Sequence, residues 1–290
     1  MTHPIVSVTT ADKLTLYGLL LAAPGKKAVL INVHGTASNF YENDFLGVVA
    51  EKLSRQGVSV LSTNNRGAHV LECYTKERYQ PTGAAIDRFE DCLLDIDAWI
   101  AFALKQGFRH IYLSGHSLGT EKVVYYMVKG KYRKLVRAVI LFAPADSYGA
   151  QLKFEQRRGL KLMVEAKRLI AQRRGRQLLS PYWKAYSGVL PLTAQAYYGL
   201  FRKGSAMSKT FPFWSGKLPL YRLINVPILA VIGDQHEFTV IPIKQALKLM
   251  ERENPNTEAH QLKHCNHDFE GKEPQLAAIV SKFVTRVSRE

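Results

Sequence analysis

With 290 residues, 47% of them apolar and 22% charged, the chain is long enough for one large or two small globular domains and is unlike disordered or fibrous sequences. Its net charge is +16, and residues 150–222 carry +13 of it, as fifteen lysines and arginines against two acids, Glu155 and Glu165. Apolar runs such as residues 226–232 fall far short of the roughly 20 residues of a bilayer-spanning helix, so no transmembrane span is expected.

The opening MTHPIVSVTTADK lacks the basic start, apolar middle and small-residue cleavage site of a secretory signal, which makes a cytoplasmic location the expectation. Strands are predicted at 4–8, 14–22, 28–33 and 58–63, with a helix at 43–56 that Gly57 stops. A second helix is predicted at 86–105, where Phe89, Leu93, Ile96 and Ile100 form one apolar stripe before Gly107 ends it. A strand at 110–114, a helix at 118–129 and a strand at 138–142 continue an alternation typical of a largely parallel sheet with crossover helices.

After Ala145 the rhythm breaks. The stretch to residue 225 is basic and aromatic, with prolines at 181, 191, 212 and 219 and no strand pattern, and it reads as an inserted lid. Its aromatics, among them Trp183, Tyr186, Tyr197, Phe211, Phe213 and Trp214, are expected to pack it onto the core. Alternation resumes with a strand at 226–232, a helix at 243–253, a strand at 258–262 and a helix at 274–287. The expected architecture is α/β, a doubly wound, mostly parallel sheet formed by residues 1–145 and 226–290, with a helical, basic lid at 146–225. Cys73, Cys92 and Cys265 are widely spaced and form no CxxC pair, so they read as reduced thiols and not as a metal site.

One segment joins this pattern to chemistry. Residues 110–128 read as a strand, then GHSLG, then an amphipathic helix, which is the context in which G-x-S-x-G holds a serine on a sharp strand-to-helix turn. Gly115 and Gly119 would leave room for the crossing chain, and Ser117 would project into a cleft beside the free N–H of Leu118. The VHG at 33–35 follows an apolar strand and offers a second backbone donor at Gly35 or Thr36, with His34 shaping the loop. A serine hydroxyl needs an imidazole to take its proton. The late loop HCNHDFEGKE offers His267, with His264 and His260 as alternatives better suited to packing. The imidazole in turn needs an acid to orient it, and GDQHEFTVIP, after the strand at 226–232, is where one is expected.

Together VHG, GHSLG, GDQHEFTVIP and NHDF resemble the α/β-hydrolase superfamily over nearly the whole chain. HGTASNFYENDF, LSTNNRGAHV and FEDCLLDIDAWI are similar to the branch that contains fungal siderophore esterases and their bacterial relatives. The resemblance implies Ser117 as nucleophile, His267 as base and Thr36 and Leu118 as oxyanion donors. It leaves the acid open. Relatives often read G-x-x-D in this loop, but the third residue after Gly233 is His236, so Glu237 or Asp234 takes the role, with Asp146 as a further candidate. Arg66, in NNRG, either reaches the cleft mouth or holds its own loop.

The implied reaction is hydrolysis of a carboxylic ester through an acyl-enzyme, with no metal or organic cofactor. The substrate would be a small ester, anionic if the basic surplus faces the cleft. No nucleic acid partner is expected, because the basic stretch carries no recognisable binding motif. Two alternatives stand beside this reading: a binding protein whose triad His236 has weakened, and a lipid-acting enzyme that contacts a membrane peripherally through its basic lid.

Overall fold

The computed structural model describes residues 5–25, 27–74, 80–180 and 190–289. Ten strands follow in chain order: β1 (Ile5–Thr9), β2 (Thr15–Leu21), β3 (Ala28–Val33), β4 (Val58–Thr63), β5 (Glu72–Tyr74), β6 (Gln80–Thr82), β7 (His110–His116), β8 (Val136–Phe142), β9 (Ile228–Ile232) and β10 (Thr257–Gln261). Eight of them make one sheet in the order β1-β2-β4-β3-β7-β8-β9-β10. β2 pairs antiparallel with both β1 and β4, and every other pairing is parallel. All residues of β3 and β4 are buried, because helices cover both faces and the central strands can be apolar throughout.

The described helices are α1 (Phe45–Ser54), α2 (Cys92–Lys105), α3 (Leu118–Lys129), α4 (Ser147–Arg158), α5 (Leu162–Ala171), α6 (Ala194–Phe201), α7 (Ile243–Glu253) and α8 (Glu273–Val287). On one face α1 and α8 pack over Leu30, Val60, Ile140 and Val231. On the other, α2, α3 and α7 pack over Ile31, Leu113, Val139 and Ala230. None of these helices is long and apolar enough to cross a membrane.

Between β8 and β9 the chain forms α4, α5 and α6 and a series of short 3-10 turns. These helices build a third apolar cluster, with Tyr148, Leu162, Leu169, Leu179, Tyr197 and Leu200. The expectation that the aromatics here pack onto the core therefore holds for Phe211 and Phe213, which join the sheet-side core, but not for Tyr197, which packs inside the inserted segment. Trp214 is exposed. Trp183 and Tyr186 lie outside the described residues, as does Pro4 at the start of the first predicted strand.

Two further differences from the sequence reading are local. The β5–β6 hairpin was not foreseen, and the predicted 86–105 helix starts later, as a 3-10 turn at Phe89–Asp91 that runs into α2. The residues left out of that helix have other work, since the Asp87 carboxylate pairs with Lys122 on α3.

Candidate active site

β7 runs past the predicted end at 114 to His116, and α3 begins at Leu118, so Ser117 alone makes the turn. Its backbone is held at φ 54° and ψ −124°, a strained conformation for a residue with a side chain. The turn is fixed from both ends: Ser117 N–H donates to Phe142 O at 3.0 Å, and Thr120 donates to Ser117 O through its N–H and its hydroxyl. The flanking glycines are sterically required. A Cβ on Gly115 would sit 2.3 Å from Gly119 O, and one on Gly119 would sit 2.1 Å from Val33 O.

The turn opens into a cavity of about 680 Å³. Ser117, His267, Thr36 and Leu118 all line it. Leu118 is the first residue of α3, so its N–H has no acceptor inside the helix. The loop after β3 packs directly on the turn, where a Cβ on Gly35 would meet Ser117 Cβ at 3.0 Å. His34 fixes that loop. Its Nε2 accepts from Asn65 N–H at 3.1 Å and its Nδ1 lies 2.7 Å from Gly35 O, which places the proton on Nδ1. Burial, reinforced by the Lys122 charge, lowers His34 to about 3, so it serves as a neutral strut.

His267 Nδ1 lies 2.7 Å from Glu237 Oε2, and the other Glu237 oxygen accepts from Gly233 N–H at 3.0 Å. The Glu237 side chain is 1% exposed. A carboxylate on Nδ1 fixes the proton there and leaves the Nε2 lone pair free to accept. Nε2 is buried with no hydrogen-bond partner among the described residues. No hydrogen bond joins it to Ser117 Oγ in this conformation; hydrogen bonds of this kind often tighten only when a substrate is bound.

The loop that brings Glu237 there explains the failed G-x-x-D spacing. His236 adopts left-handed backbone, φ 59°, and turns to solvent, which aims the next residue inward. Asp234, the alternative acid, does not reach His267. Its carboxylate accepts the N–H groups of His264 and Cys265, both at 3.0 Å, and these donors hold its pKa below the usual carboxylate range. Asp234 thus clasps the two loops together. Asp146 is also elsewhere: it caps α4 through Gly149 N–H at 2.7 Å and accepts Phe213 N–H at 3.1 Å, while burial pushes it up to about 6. His260 pairs with Glu258 on the edge strand, and His264 is exposed. Arg66 holds its own loop, ion-paired to Asp95, Asp12 and Asp91.

Sequence reasoning passed over three neighbours of Ser117. His116 is buried, and its Nε2–H donates to the main-chain oxygen of His267 at 2.9 Å, while the two imidazoles lie 5.0 Å apart. Burial first, then the nearby His267, lowers His116 to about 4. Glu121 is fully buried beneath the inserted segment. Ser147 Oγ donates to its Oε2, and Thr210 Oγ1 lies 3.2 Å from its Oε1. Thr210 Oγ1 also lies 2.6 Å from Met207 O, so its single hydroxyl proton is shared between Met207 O and Glu121 Oε1. Burial drives Glu121 well above the usual carboxylate range. Lys122 is buried against Asn65 Oδ1 at 2.8 Å and Asp87 Oδ2 at 3.1 Å. The available signal was position: both residues fall on the first turns of a helix that opens directly behind Ser117, where outward-facing sites are few.

The cavity lining is mixed in character. Leu190, Leu192, Leu200, Phe201, Met207 and Phe154 line it from the inserted segment. Glu42, Asp44, Asp268, Glu270 and Glu273 also line the cavity, and no lysine or arginine does so among the described residues. Among the described residues, none of the basic side chains of the inserted segment lines the cavity.

The family model described as serine aminopeptidase, S33, matches residues 24–183. No curated protein matches the chain. Among solved structures, Est1E from Butyrivibrio proteoclasticus with ferulic acid bound superimposes with a TM-score of 0.69 at 18% identity, covering 98% of this chain and 100% of that one. The Pyrococcus furiosus esterase Pf2001 gives a TM-score of 0.61 at 17% identity, covering 98% and 90%. The α/β hydrolase GrgF from Penicillium sp. sh18 gives 0.68 at 16% identity, covering 99% of both chains. At such identities the likeness is one of fold.

Proposed function

The chain belongs to the serine aminopeptidase S33 family of α/β-hydrolases, and from that premise we propose that it cleaves a carboxylic ester with Ser117 as nucleophile, His267 as base and Glu237 as orienting acid. The observation that carries this reading is the His267–Glu237 pair, at 2.7 Å, whose imidazole lines the same cavity as a strained serine. His267 Nε2 takes the Ser117 proton as Oγ bonds to the ester carbonyl carbon, and the N–H groups of Thr36 and Leu118 hold the oxygen as it becomes negative. The alcohol leaves with the proton from His267. Water, deprotonated by the same imidazole, then releases the acid from Ser117.

Residues 146–225 act in this reading as the lid, supplying the apolar wall on which an aliphatic or aromatic arm rests. Ferulic acid bound to Est1E is consistent with an aromatic arm. The acidic residues lining the cavity argue against the anionic substrate expected from total charge, and favour neutral or cationic esters. The test is fluorophosphonate labelling together with turnover of a panel of small esters. Wild type should label rapidly, and Ser117→Ala should neither label nor turn over, a loss on the order of a million-fold. Labelling that persists in Ser117→Ala would overturn the assignment. Within the panel, an anionic ester should be a poorer substrate than its neutral analogue.

A further inference from the structure

Cationic side chains on a surface are ordinarily matched by nearby acids, and on α4, α5 and the turn after them they are not. Lys153, Arg157, Arg158, Lys161, Lys167 and Arg168 are all exposed, as are Arg173, Arg174 and Arg176 further on. None of the nine makes an ion pair within the described residues. The two acids of this stretch are taken: Glu155 is buried, and Glu165 accepts the Ser180 N–H and hydroxyl.

Exposed aliphatic side chains lie in the same field. On α5, Leu162, Ala166 and Leu169 face the inserted segment's own core, while Val164 is 64% exposed. Helical spacing puts Lys161, Val164, Lys167 and Arg168 on one outward stripe. On α4, Leu152 is 44% exposed. An apolar side chain ringed by cations serves no purpose in the fold, and a polyanion read through phosphates alone has no use for it. It does suit the boundary between lipid headgroups and acyl chains, where cations meet phosphate and a short aliphatic group enters below them.

We propose that the outer face of α4 and α5 docks onto an anionic membrane surface. Gln151 and Phe154, on α4, line the cavity. Docking would thus hold the α4 wall of the cavity within about one helix diameter, roughly 10 Å, of the headgroups. The inference needs no assumption about which bond the enzyme cleaves.

The test is sedimentation of the intact chain with phosphatidylcholine vesicles, with and without phosphatidylglycerol. Binding should need the anionic lipid and weaken as salt rises. The triple variant Lys161→Ala, Lys167→Ala, Arg168→Ala should partition more weakly by on the order of 100-fold, and circular dichroism with thermal melting would verify that it is folded. Val164→Ser should lower vesicle binding several-fold and leave binding to a DNA duplex unchanged. Absence of sedimentation at low salt, equal binding to uncharged vesicles, or an unaffected triple variant would each overturn the proposal. Tighter binding to duplex than to vesicles, with Val164→Ser neutral toward both, would overturn it in favour of nucleic acid.

Discussion

Buried titratable side chains on two sides of Ser117 are shifted by burial in opposite directions. His34, on the loop after β3, and His116, against the loop that carries His267, are imidazoles kept uncharged by burial, at about 3 and about 4. Toward the inserted segment stand Glu121 and Asp146, carboxyls raised by burial, Asp146 to about 6. The first flank ties together the loops that carry the reactive groups. The second ties α3 to the inserted segment through Ser147, Thr210 and Phe213. The lesson is that burial disfavours charge on both sides of Ser117 while acting on groups of opposite sign, so that the two flanks should respond to pH in opposite directions.

The largest expected effect asks which flank supplies the acid. Glu237→Gln should cut turnover by on the order of a thousand- to ten-thousand-fold, because the amide no longer fixes the His267 tautomer or steadies its charged form. Asp146→Asn should leave turnover within about ten-fold, since its carboxylate caps α4 and reaches no imidazole. Steady-state kinetics on one neutral ester decides it. If Asp146→Asn were the silent enzyme and Glu237→Gln the active one, the two flanks would have to exchange roles.

A smaller effect is expected at His116, as a positioning residue. Its Nε2–H links the turn at Ser117 to the loop that carries His267, by a hydrogen bond to the His267 main-chain oxygen. His116→Phe keeps the aromatic contacts with Phe45 and Phe269 but loses the donor, and should lower kcat by roughly ten- to a hundred-fold with KM little changed. His116→Gln, which can still donate, should recover most of the loss. Equal defects in the two variants would make His116 a matter of packing alone.

Much of this arrangement is legible in sequence, for identifiable reasons. β3, β4, α3 and α7 have the limits read from pattern, because buried parallel strands are continuous apolar runs and each helix is bounded by a turn residue. The inserted segment gave no such pattern, since its helices pack largely on one another and their apolar positions answer to no sheet. Within the candidate site, glycine-flanked Ser117 and the late loop holding His267 stand out. The acid did not, because spacing rules assume ordinary backbone and His236 is left-handed. Glu121 and Lys122 look on paper like the polar face of a surface helix, and only the overlying loops make them buried.

The acid limb of the pH response follows from the histidines. A group whose pKa falls on folding favours the folded state above its unfolded pKa, and that contribution is lost as pH drops through the folded value. For His116 the window runs from 6.5 down to about 4, and for His34 it extends to about 3. Denaturant unfolding between pH 7 and pH 4 should therefore show declining stability, and His116→Gln, which cannot take a charge, should flatten part of that decline. A variant as acid-sensitive as wild type would mean that His116 does not oppose protonation in the folded state.

The smallest effect lies on the other flank and has the opposite sign. A carboxyl raised on folding stabilises below its unfolded pKa, 4.5 for Glu121, and the contribution disappears as pH climbs through the raised value. Glutamine copies the protonated carboxyl: its oxygen can accept from Ser147 and its amide can donate to Thr210 Oγ1, which can give its own proton to Met207 O. Glu121→Gln should then match wild type at pH 5 to within about 0.5 kcal/mol and be the more stable protein at pH 9. Glu121→Ala should be weaker at both, because it strands two hydroxyls and opens a hole under the inserted segment. Thermal melts of the three proteins at those two values would measure the difference, and a glutamine variant that melts well below wild type at both would show that the ionised carboxylate, and not the neutral acid, ties α3 to the segment above it.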